Sequence, residues 1–393
     1  MKISQMKSII IALLISQCSF AAIVALDSPY KNKPSNFATT TPVQTTAVDK
    51  LTENRLIGYL PGWKTPPSVK ALSKAGYTHI IIAFGIFNTK NPGAIFPAFD
   101  TVKKDYIRKL QKAGIKVLLS LGGPITSIPH TSVNFHRVLG LADSPLLFEK
   151  TFLKSLEHLV NTYGFDGFDV DIEEGIRVTG TMAKPTGDIQ VLANIINTAY
   201  SKHPDWLFSL APQVENISAN PAFDDTWGSY ASLIMQTHDA LSWVGIQLYN
   251  SGCAYGIDKF CYEPKKINSP DFSVAMAVDL LTDWPLKTST GDVTGFQPYI
   301  SYLKPSQVVL GYFATTKSRL VSWPTTPVST IKRAVQCLRT ATVSNYSCDK
   351  YVPPHAYQEI GGVFGWEVNF DQENDFKFAM GLNHCVLHGR CEE

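Results

Sequence analysis

The sequence predicts an α/β protein built as a single (β/α)8 barrel of the TIM type. Three observations predict it. Eight short apolar runs recur after residue 53, stretches with helical spacing separate them, and 393 residues suit one barrel with insertions. A doubly wound open sheet is the structural alternative, because strand count alone does not close a barrel.

Taken in order, Leu56-Ile-Gly-Tyr-Leu60 is the first strand, and a helix runs through Lys70-Ala-Leu-Ser-Lys74 to Gly76. His79-Ile-Ile-Ile-Ala-Phe84 follows, a continuous apolar run of the kind required by a strand buried on both faces. Val102, Tyr106 and Leu110 then repeat at helical spacing, Gly114 closes that helix, and Lys116-Val-Leu-Leu-Ser-Leu121 is the third strand. Phe148, Phe152, Leu156 and Val160 mark the third helix, and Gly164 leads into the fourth strand. The punctuation Lys74-Ala-Gly-Tyr recurs as Lys112-Ala-Gly-Ile. Later strands are Leu207-Phe-Ser-Leu-Ala211, Trp243-Val-Gly-Ile-Gln-Leu-Tyr249, Val308-Val-Leu-Gly-Tyr312 and Gly362-Val-Phe-Gly-Trp366.

The fourth strand, within Phe165-Asp-Gly-Phe-Asp-Val-Asp-Ile-Glu-Glu174, carries the chemistry. Side chains alternate across a strand, so Asp169, Asp171 and Glu173 share one face while Phe168, Val170 and Ile172 share the other. Ionising three buried acids within a few ångströms is costly, so at least one should keep its proton near neutral pH and serve as a general acid. A solvated edge strand and a divalent-metal cage are the competing readings. An edge would not place Phe and Ile opposite the acids, and no His or fourth acid follows nearby. Glu174 has the opposite parity. Chemistry in a barrel sits at the C-terminal ends of strands, where Glu173 falls.

Composition bounds the rest. Hydrophobic residues make up 45% and charged ones 17%, which describes a folded chain with a large core. The formal charge is +2, and loss of a leader containing Lys2 and Lys7 would bring it to zero, so there is no nucleic-acid footprint. A neutral carbohydrate fits better, with many aromatic rings on which sugars could stack. Residues 1–21 read as a secretory signal, with cleavage after Ala21; an uncleaved anchor is the alternative, since apolar character runs on to Leu26. Residues 22–52, rich in Thr, Pro and Ser, read as a linker, and 53–393 as the catalytic barrel with a C-terminal Cys loop. Export, a monomeric state and no stable membrane association are expected. Cys18 would be discarded with the leader. The other six cysteines stand close in pairs, Cys253 with Cys261, Cys337 with Cys348 and Cys385 with Cys391, and local disulfides are the simplest connectivity. No Cys-x₂-Cys metal spacing occurs, and no metal or cofactor is expected.

Asp166-Gly-Phe-Asp-Val-Asp-Ile-Glu173 resembles the Asp-Gly-x-Asp-x-Asp-x-Glu signature of glycoside hydrolase family 18, the chitinases and related endo-β-N-acetylglucosaminidases. Ser120-Leu-Gly-Gly123 is similar to that family's third-strand motif, and Gln247-Leu-Tyr-Asn250 and Trp366 resemble its sixth- and eighth-strand positions. Ala211-Pro-Gln213 is similar to its fifth-strand end. The likeness spans roughly residues 53 to 384. It implies a chitin or chitooligosaccharide substrate whose own N-acetyl group is the nucleophile, an exception to the usual pair of carboxylates about 5 Å apart. By this resemblance Glu173 protonates the leaving oxygen, Asp171 holds the acetamido N–H, Asp169 trades a proton with Asp171, and Tyr249 donates to the acetamido oxygen. Tyr59, Phe84, Ser120, Gln213, Gln247, Asn250 and Trp366 are the candidate substrate-binding residues.

Simpler readings remain for several of these. Trp366 is also a plausible core filler, Gln247 and Asn250 satisfied barrel polars, and Gly122 and Gly123 allowances for close backbone packing. Asp166 reads as a turn or support residue. Trp63, Phe87, Trp227 and Tyr255 are candidate stacking residues around the cleft. Only about 50 residues separate Tyr312 from Gly362, which leaves no room for the large α+β insertion that deepens the groove in many processive relatives, so an open groove and internal cleavage are expected. The alternatives are action on N-glycan cores and a non-catalytic lectin on the same fold.

Overall fold

Eight parallel strands close into a barrel in the computed structural model, which describes residues 54–219, 222–284, 299–315 and 323–391. The leader and linker lie outside the described residues. The strands are β1 (Arg55–Pro61), β2 (His79–Asn88), β3 (Lys116–Gly123), β4 (Gly167–Ile172), β5 (Leu207–Leu210), β6 (Trp243–Gln247), β7 (Val308–Phe313) and β8 (Gly362–Trp366). Each pairs with its sequence neighbour, and β1 pairs with both β2 and β8, through Ile57↔His79 and Arg55↔Gly362 among others. That closing contact excludes the open doubly wound sheet.

Helices return the chain between strands: α1 (Val69–Ala75), α2 (Lys104–Lys112), α3 (Pro145–Tyr163), α4 (Gly187–Lys202), α5 (Ser229–Thr237), α6 (Asp271–Leu281) and α7 (Val328–Thr340), and α8 (Lys377–His388) follows β8. Their ends follow local chemistry. Ser144 caps α3 by accepting from the Leu147 amide, Pro145 occupies its first turn, and Gly164 ends it at φ 79°. Between β7 and β8 the described residues hold α7 and the disulfide loop, with no α+β insertion.

The period-two pattern sorts the core into two layers. Ile57, Ile81, Leu118, Val309 and Phe364 fill the barrel interior, while Leu56, Ile80, Ile82, Leu119 and Val363 pack outward under the helices. At the bottom, buried Arg55 lies over Trp243 at 5.2 Å and donates to Ser306 O, and His79 meets the same indole edge-on. Burial, with Arg55 and Lys116 nearby, lowers His79 to about 3, so it stays neutral. Asp166 is also at this end, accepting from Val117 N, Gln111 and Lys116. It supports the strand entrance and not Asp169. At the far end of the chain, buried Asp371 accepts from Tyr77 Oη and from the amides of Phe378 and Ala379, fixing the start of α8.

All three cysteine pairs form locally, as Cys253–Cys261, Cys337–Cys348 and Cys385–Cys391. Among the described residues no helix is long and apolar enough to cross a membrane.

Candidate active site

The acids stand in a row along β4 because register puts them there. Ser120 on β3 and Ser209 on β5 are the direct strand partners of Asp169, so all three side chains enter the barrel at one level. Ser209 Oγ donates to Asp169 Oδ1 at 2.6 Å, and Ser120 Oγ and Tyr59 Oη donate to Oδ2 at 2.7 and 3.0 Å. One level higher the β3 partner of Asp171 is Gly122. It adopts φ 112°, and a Cβ there would meet Asp171 O at 2.3 Å, so glycine is required both for the backbone and for the close approach. Gln247 on β6 donates to Asp171 Oδ1 at 2.8 Å and to Ala211 O at 2.9 Å, and lies 3.5 Å from Glu173 Oε1. Gln213 approaches Glu173 Oε2 at 3.3 Å. Glu173 is just past the end of β4 and half-buried, whereas Asp169 and Asp171 are fully enclosed. Glu174 points to solvent.

Burial raises all three carboxyl groups. Asp169 rises to about 6 even though its three hydroxyl donors pull it down. Burial, then the charges of Glu173 and Asp169, lift Asp171 well above the carboxylate range. Burial pushes Glu173 up to about 7. Asp171 and Glu173 sit close enough to raise one another's cost of ionisation, and Gln247 reaches both. A cluster of this kind can deliver a proton at near-neutral pH.

Aromatic side chains surround the acids. Trp366, half-buried at the end of β8, stacks on Phe84 at 5.9 Å and 18°, and leans on Tyr59 at 5.7 Å. Trp63 extends the stack beyond Phe84 at 6.1 Å and is 52% exposed. The Ala83–Phe84 and Trp366–Glu367 peptides are both cis. Buried Glu367 pairs with Lys64 at 2.6 Å, tying the β8 end to the loop after β1. Tyr249 packs on Phe313 at 4.6 Å, and its hydroxyl proton is held tightly by burial and by the nearby charges of Asp171, Glu173 and Asp169. The structure thus brings together Tyr59, Phe84, Ser120, Asp169, Asp171, Glu173, Gln213, Gln247, Tyr249 and Trp366.

Other candidates fall elsewhere. Asn250 is exposed at φ 55° in the turn after Tyr249. Trp227 and Tyr255 are half-buried. Phe87 is not a cleft residue: it is fully buried against Phe135 and Phe152, under the helices. The cause is a bulge in β2 between Ala83 and Gly85, which turns Phe84 inward and sends Phe87 out. Two contributors were not read from the sequence. Ser209 could have been, since it has inward parity on an apolar strand. Tyr230 on α5 could not; its buried hydroxyl accepts from Ile172 N and donates to Ile172 O, pinning the backbone just before Glu173.

The chain is similar to several known proteins. Chitinase D of Niallia circulans is 25% identical over 342 residues, covering 82% of this chain and 60% of that protein. Chitinase Chi52 of Paenibacillus xylanexedens is 26% identical over 289 residues, covering 70% of this chain and 49% of that protein. The chain therefore spans about half to three-fifths of the length of these curated relatives. The C-terminal domain of Legionella pneumophila ChiA is 59% identical and superposes with a TM-score of 0.83, covering 86% of this chain and 99% of that one. The profile of glycosyl hydrolases family 18 matches residues 55–319. With two-thirds of its length matched, and the acid row built on β4, this chain is a member of glycosyl hydrolases family 18.

Proposed function

We propose that the protein is a chitinase, hydrolysing β-1,4 linkages between N-acetylglucosamine units with retention, by a mechanism in which the substrate's acetamido oxygen is the nucleophile. The observation that carries this is the row of Asp169, Asp171 and Glu173 on one face of β4, with Gln247 donating to Asp171 and reaching Glu173, and with Tyr249 and Trp366 packed on the same interior cluster. An acetamido N–H arriving at Asp171 favours its ionised form and drives the proton onto Glu173, which then faces the bridging oxygen. Asp171 orients the acetamido group and stabilises the oxazolinium ion. Asp169, held by three hydroxyls, accommodates the change of charge on its neighbour. Tyr249 donates to the acetamido oxygen, and Trp366 forms the floor under the distorted ring. Once the aglycone has left, water bonds to the anomeric carbon as the bond from the acetamido oxygen to that carbon breaks, and ionised Glu173 takes the water's proton, which returns the site to its starting state.

The groove is open because no α+β insertion stands between β7 and β8 among the described residues, which supports cleavage within chains. Three disulfides support an oxidising, extracytoplasmic location. Chitohexaose digestion followed by mass spectrometry and by NMR of the nascent anomer tests the proposal. Initial β-anomers and products of several lengths are expected. An α-anomer would overturn the mechanism, an exclusive dimer the internal cleavage, and cleavage only of glycoprotein glycans the substrate.

A further inference from the structure

A cavity of about 750 Å³ is lined by residues of the segment between β6 and α6 and of the segment before β8, and none of the three acids is among them. Two stapled segments build it. The hairpin closed by Cys253–Cys261 contributes Phe260 and Tyr262, and the segment after the Cys337–Cys348 bridge contributes Asp349 and Tyr351. Phe260 is 55% exposed; its ring meets Tyr262 edge-on at 4.9 Å, and Tyr262 meets Tyr351 edge-on at 5.4 Å. Polar groups are fixed around these rings. Tyr262 Oη donates to Asp258, Ser269 Oγ donates to Asp349, and Glu263 and Lys266 complete a wall of mixed charge. The same short stretch reaches the cleft, since Lys265 lies over Trp323 at 5.0 Å and Trp323 packs on the interior cluster that contains Tyr249 and Phe313.

We propose that this cavity is a second saccharide-binding site, holding N-acetylglucosamine units of a polymer while another stretch lies at the acids. The inference rests on the substrate class given above. An exposed ring offers the apolar face on which a pyranose stacks, and the carboxylates and ammonium groups of the lining can meet its hydroxyl and acetamido groups. The volume falls in the range of roughly 300 to 1,000 Å³ typical of small-molecule sites. Mixed charge does not suit a multiply charged anion. Both walls are cross-linked beside the lining residues, so little ordering is needed on binding.

The test measures adsorption to colloidal chitin and turnover of a soluble fluorogenic chitobioside for the wild type, Phe260→Ala and the double variant Glu263→Ala/Lys266→Ala. These side chains are exposed, so folding is retained, and circular dichroism checks it. Adsorption should fall about five-fold or more in each variant, with chitobioside turnover within about two-fold of wild type. Unchanged adsorption in both variants overturns the site, as does a wild type that turns over chitobioside without adsorbing. A wild type that adsorbs in a Phe260-dependent way but turns over no chitobioside leaves the binding site standing and removes the hydrolytic reading.

Discussion

Gln247 and Asp171 are joined by a 2.8 Å hydrogen bond that crosses the barrel from β6 to β4, skipping the intervening strand. The same amide is 3.5 Å from Glu173, so one neutral side chain steadies both carboxyl groups. Its hydrogen bonds favour the ionised carboxylates and therefore hold both pKa values down. Gln247→Leu removes that restraint at similar volume. The alkaline limb of the kcat/KM profile should move to higher pH while the maximum falls by about 10- to 100-fold. A limb that stays in place would separate Gln247 from the titrating pair.

Glu173→Gln removes the proton donor and leaves the surrounding rings intact. Turnover of chitohexaose should drop by ~10³-fold or more, with binding of the intact oligosaccharide retained, as expected for a general acid. Single-turnover kinetics together with calorimetric binding separates the two quantities. Activity near that of wild type would remove Glu173 from the mechanism.

Proton linkage gives a second pH effect, on stability. Asp169 and Asp371 both titrate near 6 in the fold, raised chiefly by burial, against about 4 in an unfolded chain. The native state thus holds protons that the unfolded state has released. That contribution is fully present below about pH 4 and is lost as pH rises through 6. Between pH 8 and pH 5 each group should add roughly 1 to 2 kcal/mol of stability. Urea denaturation at the two pH values measures the gain, and Asp169→Asn should remove one such increment. An Asn variant with the same pH dependence as wild type would show that this carboxyl carries no linked proton.

Most of this architecture was legible because buried strands need residues that are apolar on both faces. His79 to Phe84 and Lys116 to Leu121 announce themselves for that reason, and the three acids stand out as exceptions on such a strand. The parity argument placed Asp169, Asp171 and Glu173 on one side and would have found Ser209 as well. Phe87, named among the stacking candidates, lies under the helices, because parity counted from inward Ile81 holds only while the ladder is unbroken. A bulge leaves no mark that distinguishes Ala83-Phe84-Gly85 from an ordinary run. Tyr230 was illegible for another reason: its role depends on where α5 docks against the end of β4, a tertiary fact that helical spacing does not encode.

The ring stack of Trp63, Phe84 and Trp366 makes a graded prediction. Trp366 leans on Tyr59, itself bonded to Asp169, so it is the ring nearest the chemistry, while Trp63 is the outermost and most exposed. Trp366→Ala should lower kcat/KM by about 10- to 100-fold on both chitobioside and chitohexaose, because the floor under the reacting sugar is lost for either substrate. Trp63→Ala should leave chitobioside turnover nearly unchanged and lower kcat/KM on chitohexaose by only about three- to ten-fold, since only a longer chain reaches that ring. Steady-state kinetics of both variants on both substrates gives the comparison. Equal losses in the two variants would mean that the stack does not run along the substrate, and no loss in Trp366→Ala would reduce that ring to core filling.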